Sequence, residues 1–179
     1  MKIYTKNGDK GFTKLGNGLS VSKSHPWIKC YGAIDELNSW IGMICSERHF
    51  PDNLKEKLQA IQSQLFYLGA DLCKSHQKYD AIHEDTRKLE EWIDYLESQA
   101  EPIRNFILPG GFHLASIFHV IRTVCRRAEV ELVEAARTET IDKYQNPITY
   151  LNRLSDLFFC LARYWNNQGR NDVVWQPKE

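Results

Sequence analysis

The sequence is defined first by what is missing from it. No apolar run approaches the ~20 residues that span a bilayer, and the opening MKIYTKNGDKGFT holds no apolar signal core. A cytoplasmic chain without membrane segments is expected. Charge of one sign is missing too. Lys+Arg and Asp+Glu number 23 each, so no global field draws nucleic acid or an anionic membrane. Any anion site must be local. The cysteines at 30, 45, 73, 125 and 160 form no CxxC pair. Four of them fall in apolar helical patterns and read as small core residues of a reducing compartment. No glutamate has a histidine three residues on, and no HxxxH or HExxH pair occurs. That removes a di-iron bundle and argues against any protein-ligated transition metal. The GxxxxGK[ST] loop is absent as well.

What is present is helical periodicity. Residues 1–24 are rich in Gly, Lys, Ser and Asn without a helical period, and form a turn segment or arm. From Pro26 onward, apolar residues recur at three and four. The first helix is expected from about Trp27 to Glu47 with Ser24 as N-cap. A second follows Pro51, capped by Asp52 or Asn53 and carrying Leu54, Leu58, Ile61, Leu65, Leu68 and Leu72. SHQKYDAIHED reads as a polar loop before a shorter third helix with Leu89, Trp92, Ile93 and Leu96 on one face. NFILPGG approaches a turn that feeds a fourth helix, about His113 to Arg137. Asn146 and Pro147 open a fifth, ending near Gly169. The expected class is all-α: a single domain with an N-terminal segment (1–24), a five-helix up-and-down bundle (25–170) and a C-terminal tail (171–179).

Four stretches carry candidate chemistry. In TKNGDKGFT (5–13), glycines allow backbone N–H groups to converge on an anion. Lys6, Lys10, Lys14 and Lys23 add charge, Thr5 and Thr13 add hydroxyls, and Asp9 is a hard ligand suited to Mg²⁺ beside phosphates. The same residues also fit a plain polar hairpin at a chain end. In IRTVCRRAEVEL, Arg122, Arg126 and Glu129 share one helical stripe and Arg127 lies ~100° round. Guanidinium groups one turn apart can clasp a polyphosphate, or can pair with carboxylates of a neighbouring helix. Both readings stay open. YLNRLSDLFF places Asn152, Ser155, Asp156 and Phe159 on one face, either a satisfied buried network or part of a site. YGAIDELNSW puts Asp35, Asn38, Ser39 and Gly42 on one face of an apolar helix, with Asp35 a natural partner for an arginine.

YTKNGDKGFT, VSK with Pro26, YGAIDELNSWIG, FILPGG, RTVCRRAE and LNRLSDLFFCLAR together resemble the ATP:cob(I)alamin adenosyltransferases of the five-helix-bundle class. They do so in order and spacing, from residue 3 to about 165. The resemblance implies a homotrimer with active sites between subunits. It implies transfer of the 5′-deoxyadenosyl group from ATP, with Mg²⁺, to a cob(I)alamin cobalt, releasing triphosphate. A cob(II)alamin reductase and a B12-dependent acceptor enzyme are the implied partners. Under this resemblance Thr5, Lys6, Asn7, Gly8, Asp9, Lys10, Gly11, Phe12 and Thr13 wrap the triphosphate, with Lys23 beside them. Arg126 and Arg127 hold phosphate, Glu129 helps place the nucleotide and Asn152 meets the adenosine end. Arg122 pairs with Asp35 across the subunit boundary. Phe106 crowds the lower corrin face, and Ser155 and Phe159 lie near the corrinoid.

The chain departs from the family pattern at Ser24-His25, Trp27, Val130 and the KLGNG stretch, all at the edge of the implied nucleotide site. Its C-terminal tail has no matching motif. Two other classes compete with the enzyme: an ATP-gated carrier of adenosylcobalamin, and a structural bundle whose arginines are all paired internally.

Overall fold

Five helices build the computed structural model, which describes residues 2–72 and 80–177: α1 (Pro26–Cys45), α2 (Asp52–Leu72), α3 (Asp80–Gln99), α4 (His113–Ala136) and α5 (Gln145–Trp165). They pack in the order α2–α1–α4–α5–α3, so α1, α4 and α5 are inner, and α4 and α5 are the inner pair most closely packed. Their apolar stripes explain that position. α4 buries Phe118, Ile121, Cys125, Ala128 and Leu132, while α5 buries Leu151, Leu154, Leu157, Phe158 and Leu161. The Phe118 and Phe158 rings stack across the seam at 6.4 Å. Each of the buried Leu, Ile and Phe side chains contributes about 1.5–3 kcal/mol on burial. α1 joins through Leu37, Ile41 and Ile44, all fully buried.

The helix limits and caps differ from expectation in four places. α2 begins at Asp52, with the Pro51 carbonyl accepting from Leu54 N and Lys55 N, so neither Asp52 nor Asn53 caps it. α3 begins at Asp80, so it is as long as its neighbours and takes in the second half of the expected loop. Its stripe extends back through buried Thr86 and Ile82, and Thr86 Oγ1 donates to the Ile82 carbonyl at 2.8 Å. A threonine that satisfies itself this way can continue an apolar face. α1 is capped by His25, not Ser24: His25 Nδ1 accepts from Trp27 N at 3.3 Å, with Pro26 in the first turn. α5 starts before Asn146 because a 3₁₀ turn, Ile141–Tyr144, feeds straight into it. It ends at Trp165 rather than near Gly169.

Two short antiparallel ribbons flank the bundle. β1 (Phe12–Lys14) pairs with β2 (Ser20–Ser22), making the N-terminal segment a hairpin with Val21 turned inward. β3 (Ile107–Leu108) pairs with β4 (Val173–Val174), which gives the unmatched tail a place in the fold. Cys30, Cys45, Cys125 and Cys160 are buried. Burial pushes the Cys160 thiol up to about 12 and the Cys125 thiol well above its usual range, which leaves both unreactive. Cys73 lies outside the described residues. Among those residues no helix is long and apolar enough to cross a membrane.

Candidate active site

The arginine stripe on α4 faces outward from the inner helix pair. Arg126 and Arg127 are exposed, whereas Arg122 and Glu129 are half-buried. Arg127 Nη2 donates to Glu36 Oε2 on α1, and this is the ion pair that α4 makes with α1. Arg126 makes no hydrogen bond or ion pair among the described residues. Arg122 Nε is buried without an acceptor, and burial together with the Arg126 charge pulls its guanidinium below the ordinary value. Two cationic groups one turn apart thus stand uncompensated, an arrangement costly to keep unless an anion is to meet them.

The α5 face adds the polar end. Asn152 Nδ2 donates to Glu129 Oε1 at 3.0 Å, joining α5 to α4 beside the arginines. Ser155 is 2% exposed, and its hydroxyl donates to the Asn152 carbonyl at 2.8 Å. Its proton is used within the helix, and its burial closes the oxygen to a ligand in this conformation. Asp156 and Glu90 both take Arg153, each at 2.9 Å. That part of the face is a satisfied network.

Asp35, one residue before Glu36 and about 100° round α1, faces a different neighbour. With Asn38, Ser39, Gln59, Gln62, Ser63, Phe66 and Tyr67 it lines an open hollow of about 660 Å³ between α1 and α2. Asn38 and Gln62 satisfy each other's backbones at 3.2 and 3.0 Å, but no described group pairs with the Asp35 carboxylate. Of Arg122, Arg126 and Arg127, Arg127 is the one that pairs with a carboxylate among the described residues, and Asp35 and Arg122 do not meet within the chain.

The N-terminal cradle is built around Gly8. Lys23 Nζ lies over this glycine so closely that an added Cβ would stand 2.9 Å from it, and Lys23 N donates to the Gly11 carbonyl at 2.9 Å. Lys23 is thereby brought to the 5–13 loop. Gly11 takes φ +80°, a conformation that favours glycine. Ile3, Tyr4 and Phe12 are exposed apolar groups along this segment. Among the described residues, no hydrogen bond or ion pair joins residues 2–14 to the arginines of α4.

The aromatic residues fall into two settings. Phe106 is 81% exposed and meets Trp175 edge-on at 6.2 Å. Phe159 is half-buried over the ring of His119 at 6.1 Å. His119 was not singled out by sequence, although it sits three residues before Arg122 on the same stripe. It is 3% exposed, and neither ring nitrogen has a partner among the described residues. Burial, then the Arg122 charge, lowers its pKa, with Asp172 opposing. The signal was the i, i+3 spacing; its burial required the fold.

The cobalamin adenosyltransferase family model matches residues 3–165. A cobalamin adenosyltransferase of Cupriavidus metallidurans is 42% identical over 98% of this chain and 94% of its own. A corrinoid adenosyltransferase of Bacillus subtilis is 40% identical over 98% and 93%. Among solved structures, a variant of the PduO-type ATP:corrinoid adenosyltransferase of Lactobacillus reuteri, complexed with cobalamin and ATP, superposes with a TM-score of 0.86. It shares 38% identity over 98% of this chain and all of that one. Matching motifs, five-helix architecture and near-complete coverage agree: this chain belongs to the cobalamin adenosyltransferase family.

Proposed function

We propose that this protein transfers the 5′-deoxyadenosyl group of ATP to the cobalt of a cob(I)alamin substrate. The observation that carries the reading is Arg126, exposed and unpaired among the described residues, set beside the Glu129–Asn152 bond. Cobalt(I) attacks C5′ with its own electron pair and the Co–C bond forms. The C5′–O bond breaks, and its electrons leave with triphosphate. Cobalt rises formally to the +3 state, so the electrons balance without a further reductant. The nucleophile belongs to the substrate, and the chain has no need of a serine, cysteine or histidine nucleophile. Its task is to receive negative charge developing on triphosphate, for which preset guanidinium, ammonium and backbone N–H donors are suited.

Arg126 takes phosphate in this reading, with the Thr5–Thr13 loop and Lys23 around the remainder and Arg127 at the edge, released from Glu36. Asn152 and Glu129 orient the nucleoside. Phe106 and Phe159 offer apolar surface to the flat macrocycle and discourage a polar lower ligand on cobalt. Among the described residues no group of three or more His, Cys, Asp or Glu side chains gathers around a metal. Asp9, exposed in the glycine turn, fits the one-carboxylate contact usual for Mg²⁺ held by phosphates. Bound there, Mg²⁺ would neutralise triphosphate charge.

The separation of the N-terminal loop from α4 within one chain supports a site completed between copies. A homotrimer is the assembly we propose, with Asp35 of one copy meeting Arg122 of the next. The exposed apolar residues Ile3, Tyr4 and Phe12 suit burial in that assembly. The balanced charge and the cysteines buried in the apolar core favour a cytoplasmic setting, where a cob(II)alamin reductase would supply substrate and a B12-dependent enzyme take the product.

Spectral conversion of cob(I)alamin to adenosylcobalamin on adding protein and ATP·Mg²⁺ tests the reading. Product formation is expected. ATP binding without product would leave a carrier, and no binding at all would leave a structural bundle.

A further inference from the structure

Phe106 protrudes from the α3–α4 connection with little packing of its own, yet the backbone that carries it is held along its length. The holding groups come from the last turn of α5 and the tail. Arg163 Nε pairs with Asp172 Oδ2 at 2.7 Å, and the two side chains are only 7% and 5% exposed. Arg163 Nη2 donates to the Glu101 carbonyl at 2.5 Å, where the connection begins. Glu101 N donates to the Gln168 carbonyl at 2.9 Å. At the other end, Asn166 Nδ2 donates to the Gly110 carbonyl at 2.9 Å and to Asp172 Oδ1 at 3.2 Å. Asn166 Oδ1 accepts from Phe112 N at 3.0 Å. In between, β3 pairs with β4 and Trp175 N donates to the Phe106 carbonyl at 2.8 Å.

Two glycines permit these approaches. Gly111 (φ +103°) leaves room for the Asn166 amide, and Gly169 (φ +88°) leaves room for the Arg163 guanidinium; a side chain at either would overlap its neighbour. A buried ion pair stabilises a fold less than apolar residues of the same volume would. What it provides here is direction: a fork of donors aimed at two strands of chain at once.

We infer that Arg163, Asn166 and Asp172 are positioning residues that fix Phe106 for the corrinoid. The inference rests on the adenosyl-transfer reading for its ligand, though not for its geometry. An aromatic that must meet a flat macrocycle from an exposed loop gains from a backbone set in advance. The clasp does this without touching substrate, and it makes the tail part of the same device.

Asp172→Asn keeps the side-chain shape and removes the charge from the Arg163 pair. Hydrogen exchange at the amides of residues 106–108 is expected to quicken. The corrinoid KM should rise roughly ten-fold or more, since small displacements at a reacting site can cost about 10²-fold. The ATP KM should stay within about two-fold, because the nucleotide groups are untouched. Unchanged exchange, unchanged corrinoid KM, or an equal rise in both KM values overturns the inference, since a merely structural clasp would not separate the two substrates. Should Asp172→Asn fail to fold, Trp175→Pro decides. It removes the N–H donated to Phe106 from an exposed tail residue and spares the core. The same split supports the clasp and an unchanged corrinoid KM overturns it. Turnover by the unmodified protein in the same assay judges adenosyl transfer separately, and exchange judges the clasp even if turnover is absent.

Discussion

Asn152 Nδ2 on α5 donates to Glu129 Oε1 on α4 at 3.0 Å, and this one bond ties the two inner helices together at the polar edge beside Arg126. Glu129 is half-buried and accepts from no other described side chain. Asn152→Ala therefore leaves a partly desolvated carboxylate without its donor, a loss of about 1–3 kcal/mol. Thermal unfolding should show that destabilisation. Steady-state kinetics should show the ATP KM raised with little change in the corrinoid KM. A rise confined to the corrinoid KM would move Asn152 to the other substrate.

Arg126→Ala should separate stability from catalysis. Arg126 is exposed and unpaired, so the melting temperature should hold. Removing one preset cationic contact to the leaving group should lower kcat about 10²–10³-fold. Arg127→Ala should cost less, because that guanidinium already has Glu36. The Arg127–Glu36 pair is about half exposed on both sides, which limits its stability contribution to about 1 kcal/mol or less. Equal losses of turnover for the two variants would contradict this ranking.

Asp35→Asn tests the joint between copies. No described group pairs with Asp35 inside the chain, so the isolated fold should tolerate the change. Sedimentation should show a shift toward smaller species, and activity should fall in step. Retained assembly with retained activity would place Asp35 away from any interface.

His119 gives a pH dependence whose sign follows from its surroundings. Burial and Arg122 lower its pKa in the folded protein below the usual value near 6.5. The unfolded chain then binds the extra proton first as pH falls. Stability from the neutral ring is complete above the unfolded value and is lost as pH drops through it toward the folded one. The slope is at most about 1.4 kcal/mol per pH unit. His119→Leu should flatten the dependence of melting temperature on pH below about 6.5. A slope identical to that of the unmodified protein would assign the acid sensitivity to other groups.

Helix content and the candidate surface were legible because each depends on local periodicity. The apolar repeats of α2, α4 and α5 appear where their spacing puts them, and the Arg122–Arg126–Glu129 stripe is a property of one helix. The start of α3 is not legible because the polar string SHQKYDAIHED hides it; only the packing of Ile82, and the Thr86 bond to its carbonyl, show that the apolar face runs back into that string. The tail was unreadable for another reason. Val173 and Val174 acquire a partner strand more than sixty residues away in sequence, and no local pattern announces such a pairing.

Sequence alone determined which residues are cationic, which are apolar and at what interval they recur, because a helix converts spacing directly into direction. It did not determine who meets whom. Arg127 rather than Arg122 takes the carboxylate within the chain, Lys23 closes over Gly8, and Arg163 reaches Asp172 and Glu101 together. Those pairings come from how the helices dock and where loops return, and charges scattered along a chain become a site only once packing sets their separations.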